Sequence, residues 1–136
     1  MEEKNFAGYT VDITGLDEDL FVESRPWGWF ETLHDDKTYK VKRLFVRPHQ
    51  RISLQYHNNR EEYWTIVSGS GKVEIRNPSL STSELTNATV GKCFHIPKGH
   101  HHRLSGGKEG ITIVEVQIGI CSEDDIVRLK DDYKRV

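Results

Sequence analysis

Gln55, His57, Glu62 and His102 are the side chains in this 136-residue chain whose types and spacing suit a divalent cation. Two imidazoles, a carboxylate and an amide oxygen make a mixed nitrogen and oxygen donor set. Such a set leaves open positions for water or a substrate oxygen, and it does not choose between Zn, Mn, Co, Ni and Fe. Glutamine is a neutral and weaker donor than imidazole, so it softens the site without abolishing it. In a strand, alternate side chains share a face. Ser53, Gln55 and His57 therefore lie together, while Ile52, Leu54 and Tyr56 lie on the other side. After the short turn Asn58-Asn59-Arg60, Glu62, Trp64 and Ile66 share a face of the next strand. A polar ligand heading an apolar inner face is how a barrel holds a cation among hydrophobic walls.

The elements that must position these donors are short. β-rich runs occur at about 40–47, 51–57, 62–68, 71–76, 92–96 and 111–118, between turn-prone groups such as Ser68-Gly69-Ser70-Gly71, Pro97-Lys98-Gly99 and Ser105-Gly106-Gly107. Many short strands with no helices between them predict an antiparallel sandwich or barrel. Residues 1–24 read as an acidic N-terminal arm, in which Val11-Asp12-Ile13 could add an edge strand, and residues 25–136 as the domain. At the other end, Ser122 with Glu123, Asp124 and Asp125 resembles a helix cap. Ile126, Leu129 and Tyr133 then form an apolar stripe at i, i+3 and i+7. This predicts a C-terminal helix of about three turns packed outside the barrel.

The ordered spacing resembles the two cupin motifs. A ligand pair at i and i+2 is followed by Glu62, then by Gly69 after six residues, and downstream by Pro97-x-Gly99-x-x-His102. The implied fold is all-β: a cupin, that is, a double-stranded β-helix or jelly-roll barrel, here with the C-terminal helix added. The wider pattern is similar to the type II phosphomannose isomerases, often the C-terminal domain of a bifunctional enzyme that also carries mannose-1-phosphate guanylyltransferase. The matching stretches run from Arg25-Pro26-Trp27-Gly28 and Tyr39-Lys40-Val41-Lys42-Arg43 through Leu54-Gln55-Tyr56-His57-x-x-Arg60-x-Glu62-x-Trp64. They continue in Ile96-Pro97-x-Gly99-x-x-His102-Arg103-Leu104, Glu115-Val116-Gln117-x-Gly119 and Glu123-Asp124-Asp125-Ile126-Val127-Arg128. Asn58 stands where the family usually has a second histidine, Cys121 where an aromatic is usual, and segment 77–90 reads as a longer or altered hairpin. The residues ahead of Arg25 are too few for a nucleotidyltransferase, so only the isomerase half is expected.

The resemblance implies interconversion of mannose 6-phosphate and fructose 6-phosphate with one divalent metal ion. The alternatives are another sugar phosphate or a nucleotide sugar as substrate, or a cupin that binds sugar phosphate without turnover. An aldose–ketose shift needs a base near C1 and C2 and a partner for charge on the enediol oxygens. The base is Glu62, Glu115 or a residue not marked by the sequence. Glu115 shares a strand face with Ile111, Ile113 and Gln117, so an acid stands on an otherwise apolar face. Arg25, Lys42, Arg43, Arg60 and Arg103 lie within matched motifs and are candidates, with Gln117, for substrate contact, Arg60 first, and as a catalytic candidate for transition-state charge too, because it sits between two ligands. His100 is a weaker ligand candidate, and His34 and His49 read as surface residues.

Composition excludes other classes. The residues are 35% hydrophobic and 29% charged, with a net charge of −2, which gives no reason to expect nucleic acid. No run approaches the roughly 20 apolar residues that span a bilayer. The acidic N-terminus is unlike a signal peptide, and two cysteines make no disulfide framework, with Cys93 expected to pack in an apolar strand. A cytoplasmic protein with no membrane partner is the expectation. Homodimerisation through sheet edges is expected too, with residues 1–24 as a possible exchange arm.

Overall fold

The computed structural model describes residues 21–136 together with the backbone of Glu3–Phe6 and Tyr9–Asp12. Among the described residues, strands β1 (Glu3–Phe6) and β2 (Tyr9–Asp12) pair only with each other. Val11 and Asp12 thus form part of a separate hairpin, and Ile13 lies outside the described residues. The remaining strands form one curled nine-stranded sheet: β3 (Phe21–Arg25), β4 (Gly28–Asp35), β5 (Tyr39–Val46), β6 (Leu54–Tyr56), β7 (Arg60–Asn77), β8 (Thr82–Thr89), β9 (Cys93–Ile96), β10 (His101–Gly119) and β11 (Val127–Lys130). Strand β3 crosses the expected boundary at residue 24 and pairs with β4.

The two longest strands make the barrel. The expected runs 62–68 and 71–76 are one strand, β7, and it pairs with β10 along nearly its whole length. The ladder slips between Gly106 and Ile111, next to Gly69 and Gly110, which have φ of 73° and 79°. A Cβ at Gly69 would lie 2.1 Å from the Gly110 carbonyl oxygen, so the strands approach there only because glycine occupies the site. Beyond the bend, β7 exchanges one partner for another: β9 pairs with its first half and β8 with its second.

Register turns the one-dimensional alternation into layers. Leu44, Ile113 and Ile66 are aligned across β5, β10 and β7. In the next layer Lys42, Glu115 and Trp64 align, and in the next Lys40, Gln117 and Glu62. All of these are buried. The interior is therefore apolar at one end, with Leu104, Ile111, Val46 and Val73, and polar at the other. Burying ionisable groups without partners is costly, and the polar layers therefore mark the functional end.

The C-terminal helix is not formed; among the described residues there is no helix. The cap does close a turn, with Asp124 N–H donating to Ser122 Oγ (3.2 Å) and Asp125 N–H to the Ser122 carbonyl (3.1 Å). The chain then leaves as β11, which pairs with the far edge of β6: Val127 opposite Tyr56, Arg128 opposite Gln55. The acids that resembled a first helical turn have tertiary partners instead. Glu123 binds Lys42, and Asp125 accepts the backbone N–H groups of Asn58 (2.9 Å) and Asn59 (2.8 Å). Nucleating a short helix is costly, whereas the ladder on β6 satisfies both backbones at once. Cys93 is likewise exposed rather than packed in the interior, because its side chain is on the outer face of β9. No helix among the described residues is long and apolar enough to cross a membrane.

Candidate metal centre

Strand β6 and the turn after it present Gln55 and His57, the start of β7 presents Glu62, and the start of β10 presents His102. His102 is directly opposite Gln55 in the β10–β6 ladder. The turn Pro97–His100 is closed by His100 N–H donating to the Pro97 carbonyl (3.1 Å), and Gly99 N–H donates to the His57 carbonyl (2.8 Å). Gly99 has φ of 77°, a conformation that glycine adopts at little cost. The Pro-x-Gly segment therefore ties the second motif to the first through the backbone.

His57, Glu62 and His102 converge, with one donor atom of each lying within 4.8 Å of the others. His57 Nε2 is 3.2 Å from Glu62 Oε2, and His102 Nε2 is 3.7 Å from Glu62 Oε1. Both rings are oriented from behind. His57 Nδ1 lies 2.5 Å from the Asp125 carbonyl, and His102 Nδ1 lies 3.0 Å from the His100 carbonyl. A carbonyl only accepts, so Nδ1 carries the hydrogen in each ring and Nε2 offers its lone pair toward Glu62. Glu62 is oriented in turn by Trp64 Nε1–H on Oε1 (3.1 Å) and Arg60 Nε–H on Oε2 (3.0 Å).

The protonation states suit ligands. Burial pushes His57 down to about 4 despite the opposing Glu62, and burial likewise lowers His102, so both are neutral near pH 7. For Glu62, burial alone would favour the neutral acid. The pull of the His102 and His57 rings in their protonated forms, and of Arg60, outweighs it and holds the carboxyl at about 2. Of those neighbours Arg60 keeps its charge at every relevant pH.

The chain's own atoms fit a cation. His102 Nε2 is buried without a hydrogen-bond partner, the condition of a ligand atom awaiting a Lewis acid. The His57 lone pair faces Arg60 Nη2 (3.3 Å) and Gln55 Nε2 (3.4 Å), while Gln55 Oε1 accepts from Ser53 Oγ (2.7 Å). The same amide turned over would offer Oε1 to a cation and leave Nε2 to Ser53 Oγ. Gln55 thus stands beside the His57–Glu62–His102 group, which supplies the converged donors.

This centre opens into a pocket of about 150 Å³ whose walls include Arg25, Phe30, Lys42, Arg60, Glu115 and Gln117. Glu115 is deeply buried. Burial first, and repulsion from Glu62 second, raise it to about 7 against the opposing pull of Lys42. Gln117 Nε2–H donates to Glu115 Oε1. Lys42 binds Glu123 and lies 4.3 Å over the Phe30 ring, with Arg25 4.9 Å from the same ring.

Two expected contacts lie elsewhere. Arg43 is paired with the buried Glu31, outside the pocket lining. Arg103 donates to the carbonyls of Ile52 and Lys130, both at 3.0 Å, and fastens β10 to β11. Each follows an inward residue, Lys42 or His102, so strand alternation turns it away. Conversely, Glu123, Ile126, Arg128 and Arg135 line the pocket. A helix expected over this segment hid them, although Glu123 and Arg128 lie in one of the matched motifs. His34 and His49 are exposed and outside the donor group, and His100 contributes its carbonyl rather than its ring.

A curled antiparallel barrel with clustered His, Glu and His donors at its polar end defines a cupin with a candidate metal centre. Among solved proteins, Bacillus subtilis oxalate decarboxylase has a similar architecture (TM-score 0.74, 18% identity, 82% of this chain and 30% of that one). Staphylococcus aureus CapF, a capsular polysaccharide assembling protein, is similar too (TM-score 0.71, 16% identity, 82% and 34%). These likenesses concern the fold alone. Residues 18–131 match the family described as Mannose-6-phosphate isomerase C-terminal, and the chain belongs to that family. Similar relatives are the xanthan biosynthesis protein XanB of Xanthomonas campestris (38% identity, 82% of this chain, 23% of that protein) and a mannose-1-phosphate guanylyltransferase of Escherichia coli K12 (36%, 82% and 23%). The alginate biosynthesis protein AlgA of Pseudomonas aeruginosa is another (37%, 82% and 22%). The chain thus spans under a quarter of the length of these relatives.

Proposed function

We propose that this domain is a metal-dependent aldose–ketose isomerase that interconverts mannose 6-phosphate and fructose 6-phosphate. The observation that carries the reading is Glu115, an acid held near pH 7 in the same pocket as the His57–Glu62–His102 group. The family's description supports the substrate class.

His57, Glu62 and His102, with Gln55 beside them, would hold the divalent cation, which supplies Lewis-acid polarisation of the substrate's carbonyl and hydroxyl oxygens. Glu62, kept ionised and tied to Arg60 and Trp64, is suited to ligation rather than to proton transfer. Glu115 is suited to the transfer: as carboxylate it accepts the proton from C2 of the aldose, that proton exchanges with solvent, and the acid delivers one to C1 while the hydroxyl proton passes from O2 to O1. Gln117 fixes the carboxyl's orientation through Oε1. Arg60 and Lys42 supply positive charge where the enediol oxygens become negative. The packed layer of Leu44, Ile113 and Ile66 beneath excludes water from the apolar side of the pocket.

The test is turnover of mannose 6-phosphate by the purified chain loaded in turn with Zn, Mn, Co, Ni and Fe, read by NMR in D2O. The expected result is fructose 6-phosphate with solvent deuterium at C1, stopped by a chelator. No turnover with any of these metals in folded, metal-loaded protein overturns the reading. A cytoplasmic homodimer joined at a sheet edge is part of the same proposal. Among the described residues β8 pairs only with β7 and leaves its other edge open, and sedimentation of the full chain tests it.

A further inference from the structure

The pocket has more cations than its acids engage. Lys42 is held by Glu123 and Arg60 by Glu62. Three arginines from separate parts of the chain also line the pocket: Arg25 at the end of β3, Arg128 in β11 and Arg135 near the C-terminus. Arg25 and Arg135 are anchored and positioned. Arg25 donates through Nη2 to Glu23 Oε2 (2.9 Å) and through Nη1 to the Ser24 carbonyl (2.9 Å). Arg135 grips Asp131 with both Nε (2.7 Å) and Nη2 (3.0 Å). Each guanidinium keeps further N–H groups free of these partners, since it has five.

Arg128 differs. Its Nε is buried without a hydrogen-bond partner. Among the described residues no carboxylate lies within 4.0 Å of it. Burial and then Arg135 disfavour its charge, against the opposing pull of Asp131, and Arg25 adds a smaller push in the same direction as Arg135. Like charges gathered around an unsatisfied donor are stabilised by an anion. Arg128 is opposite Gln55 in the β11–β6 ladder, so its side chain leaves the same face as that candidate ligand. Glu115 stands on a different wall, between β5 and β7. In a hexose 6-phosphate the phosphate and the reacting C1–C2 end are at opposite ends of the carbon chain, so two separated sites in one pocket match the molecule.

Building on the isomerase reading, we propose that Arg128, flanked by Arg25 and Arg135, binds the phosphate dianion of the sugar-phosphate substrate and sets specificity for phosphorylated sugars. Arg43 and Arg103 are already occupied elsewhere, by Glu31 and by the Ile52 and Lys130 carbonyls.

Calorimetric titration of the metal-loaded full chain with mannose 6-phosphate, inorganic phosphate and mannose tests this, with Arg128→Gln, Arg25→Gln and Arg135→Gln alongside. A lost charge-assisted contact predicts roughly 10–100-fold weaker binding of both phosphates to Arg128→Gln and smaller losses for the other two, with mannose binding and metal content unchanged. In turnover, Arg128→Gln should raise KM more than it lowers kcat. Wild-type affinity for mannose 6-phosphate in a folded Arg128→Gln protein overturns the proposal, as does failure of the wild type to bind either phosphate. If Arg128→Gln does not fold, Arg128→Lys and Arg25→Gln decide it, and unchanged affinity in both is refuting. Arg128-dependent phosphate binding without isomerisation by the wild type leaves the anion site standing and removes the isomerase reading.

Discussion

Glu115→Gln is expected to stabilise the metal-free protein at neutral pH, and to do so only where a carboxylate would form. The unfolded acid titrates near 4.5 and the folded one at about 7. Below 4.5 both states hold the proton and no penalty exists. Between these values the unfolded state ionises and the folded state does not, so the native state binds more protons and stability falls as pH rises. Above about 7 the loss levels off. The gap between 4.5 and about 7, at 1.36 kcal/mol per pH unit, amounts to about 3 kcal/mol. Glu115 is only 4% exposed, so solvent screening removes little of it. Glutamine keeps the Oε1 acceptor that Gln117 uses and cannot ionise. Urea denaturation of wild type and variant from pH 4 to 9, with chelator present, should give curves that coincide near pH 4 and separate by about 2–3 kcal/mol by pH 8. The variant should also lose isomerase activity, while the wild-type rate rises with pH through about 7 in the limb controlled by this base. Parallel stability curves across that range would refute the assignment of Glu115 as a buried acid that ionises late.

Three other outcomes follow from the site and its frame. His102→Ala should cut divalent-metal affinity by about 100-fold or more and abolish turnover, measured by metal analysis after dialysis, because it removes a converged donor. Asp125→Ala should lower metal affinity roughly 10-fold and cost about 1–2 kcal/mol of stability by chemical denaturation. Its carboxylate holds the Asn58 and Asn59 N–H groups of the turn between ligands, and its carbonyl, which remains, still orients His57. Gly69→Ala should destabilise the fold by about 2 kcal/mol or more, read as a lower Tm, since its Cβ would meet the Gly110 carbonyl at 2.1 Å with φ of 73°.

Much of the ligand geometry was legible in the sequence because it depends on short-range rules. Gln55 and His57 are two apart on one strand. Glu62 begins the next strand, and Pro97 and Gly99 make the turn that delivers His102. Each relation spans a few residues, where backbone sterics and alternation decide the outcome. The same alternation could have separated Lys42 from Arg43 and His102 from Arg103, since neighbours on a strand cannot both face one pocket. Strand β4 was not expected, and β8 only as part of a hairpin over 77–90 without bounds of its own. Glu84, Leu85 and Asn87 are all exposed on β8, an edge strand that gives the core only Ala88, and β4 is buried on both faces near Trp29, Phe30 and Glu31.

What the sequence by itself determined is the identity and local order of the donors: an imidazole pair, a carboxylate and an amide at spacings that strands and one turn bring to one face. The tertiary structure alone decided what surrounds them. Whether Ser122–Arg135 winds as a helix depended on the free edge of β6, more than sixty residues away in sequence, which takes β11 and draws Asp125 behind His57 and Arg128 beside Gln55. Likewise Glu115 acquires its late ionisation from burial and from Glu62 across the β10–β7 ladder. Local sterics act between neighbours and can be read along the chain. Desolvation and edge pairing act between segments, and they exist only once the barrel has closed.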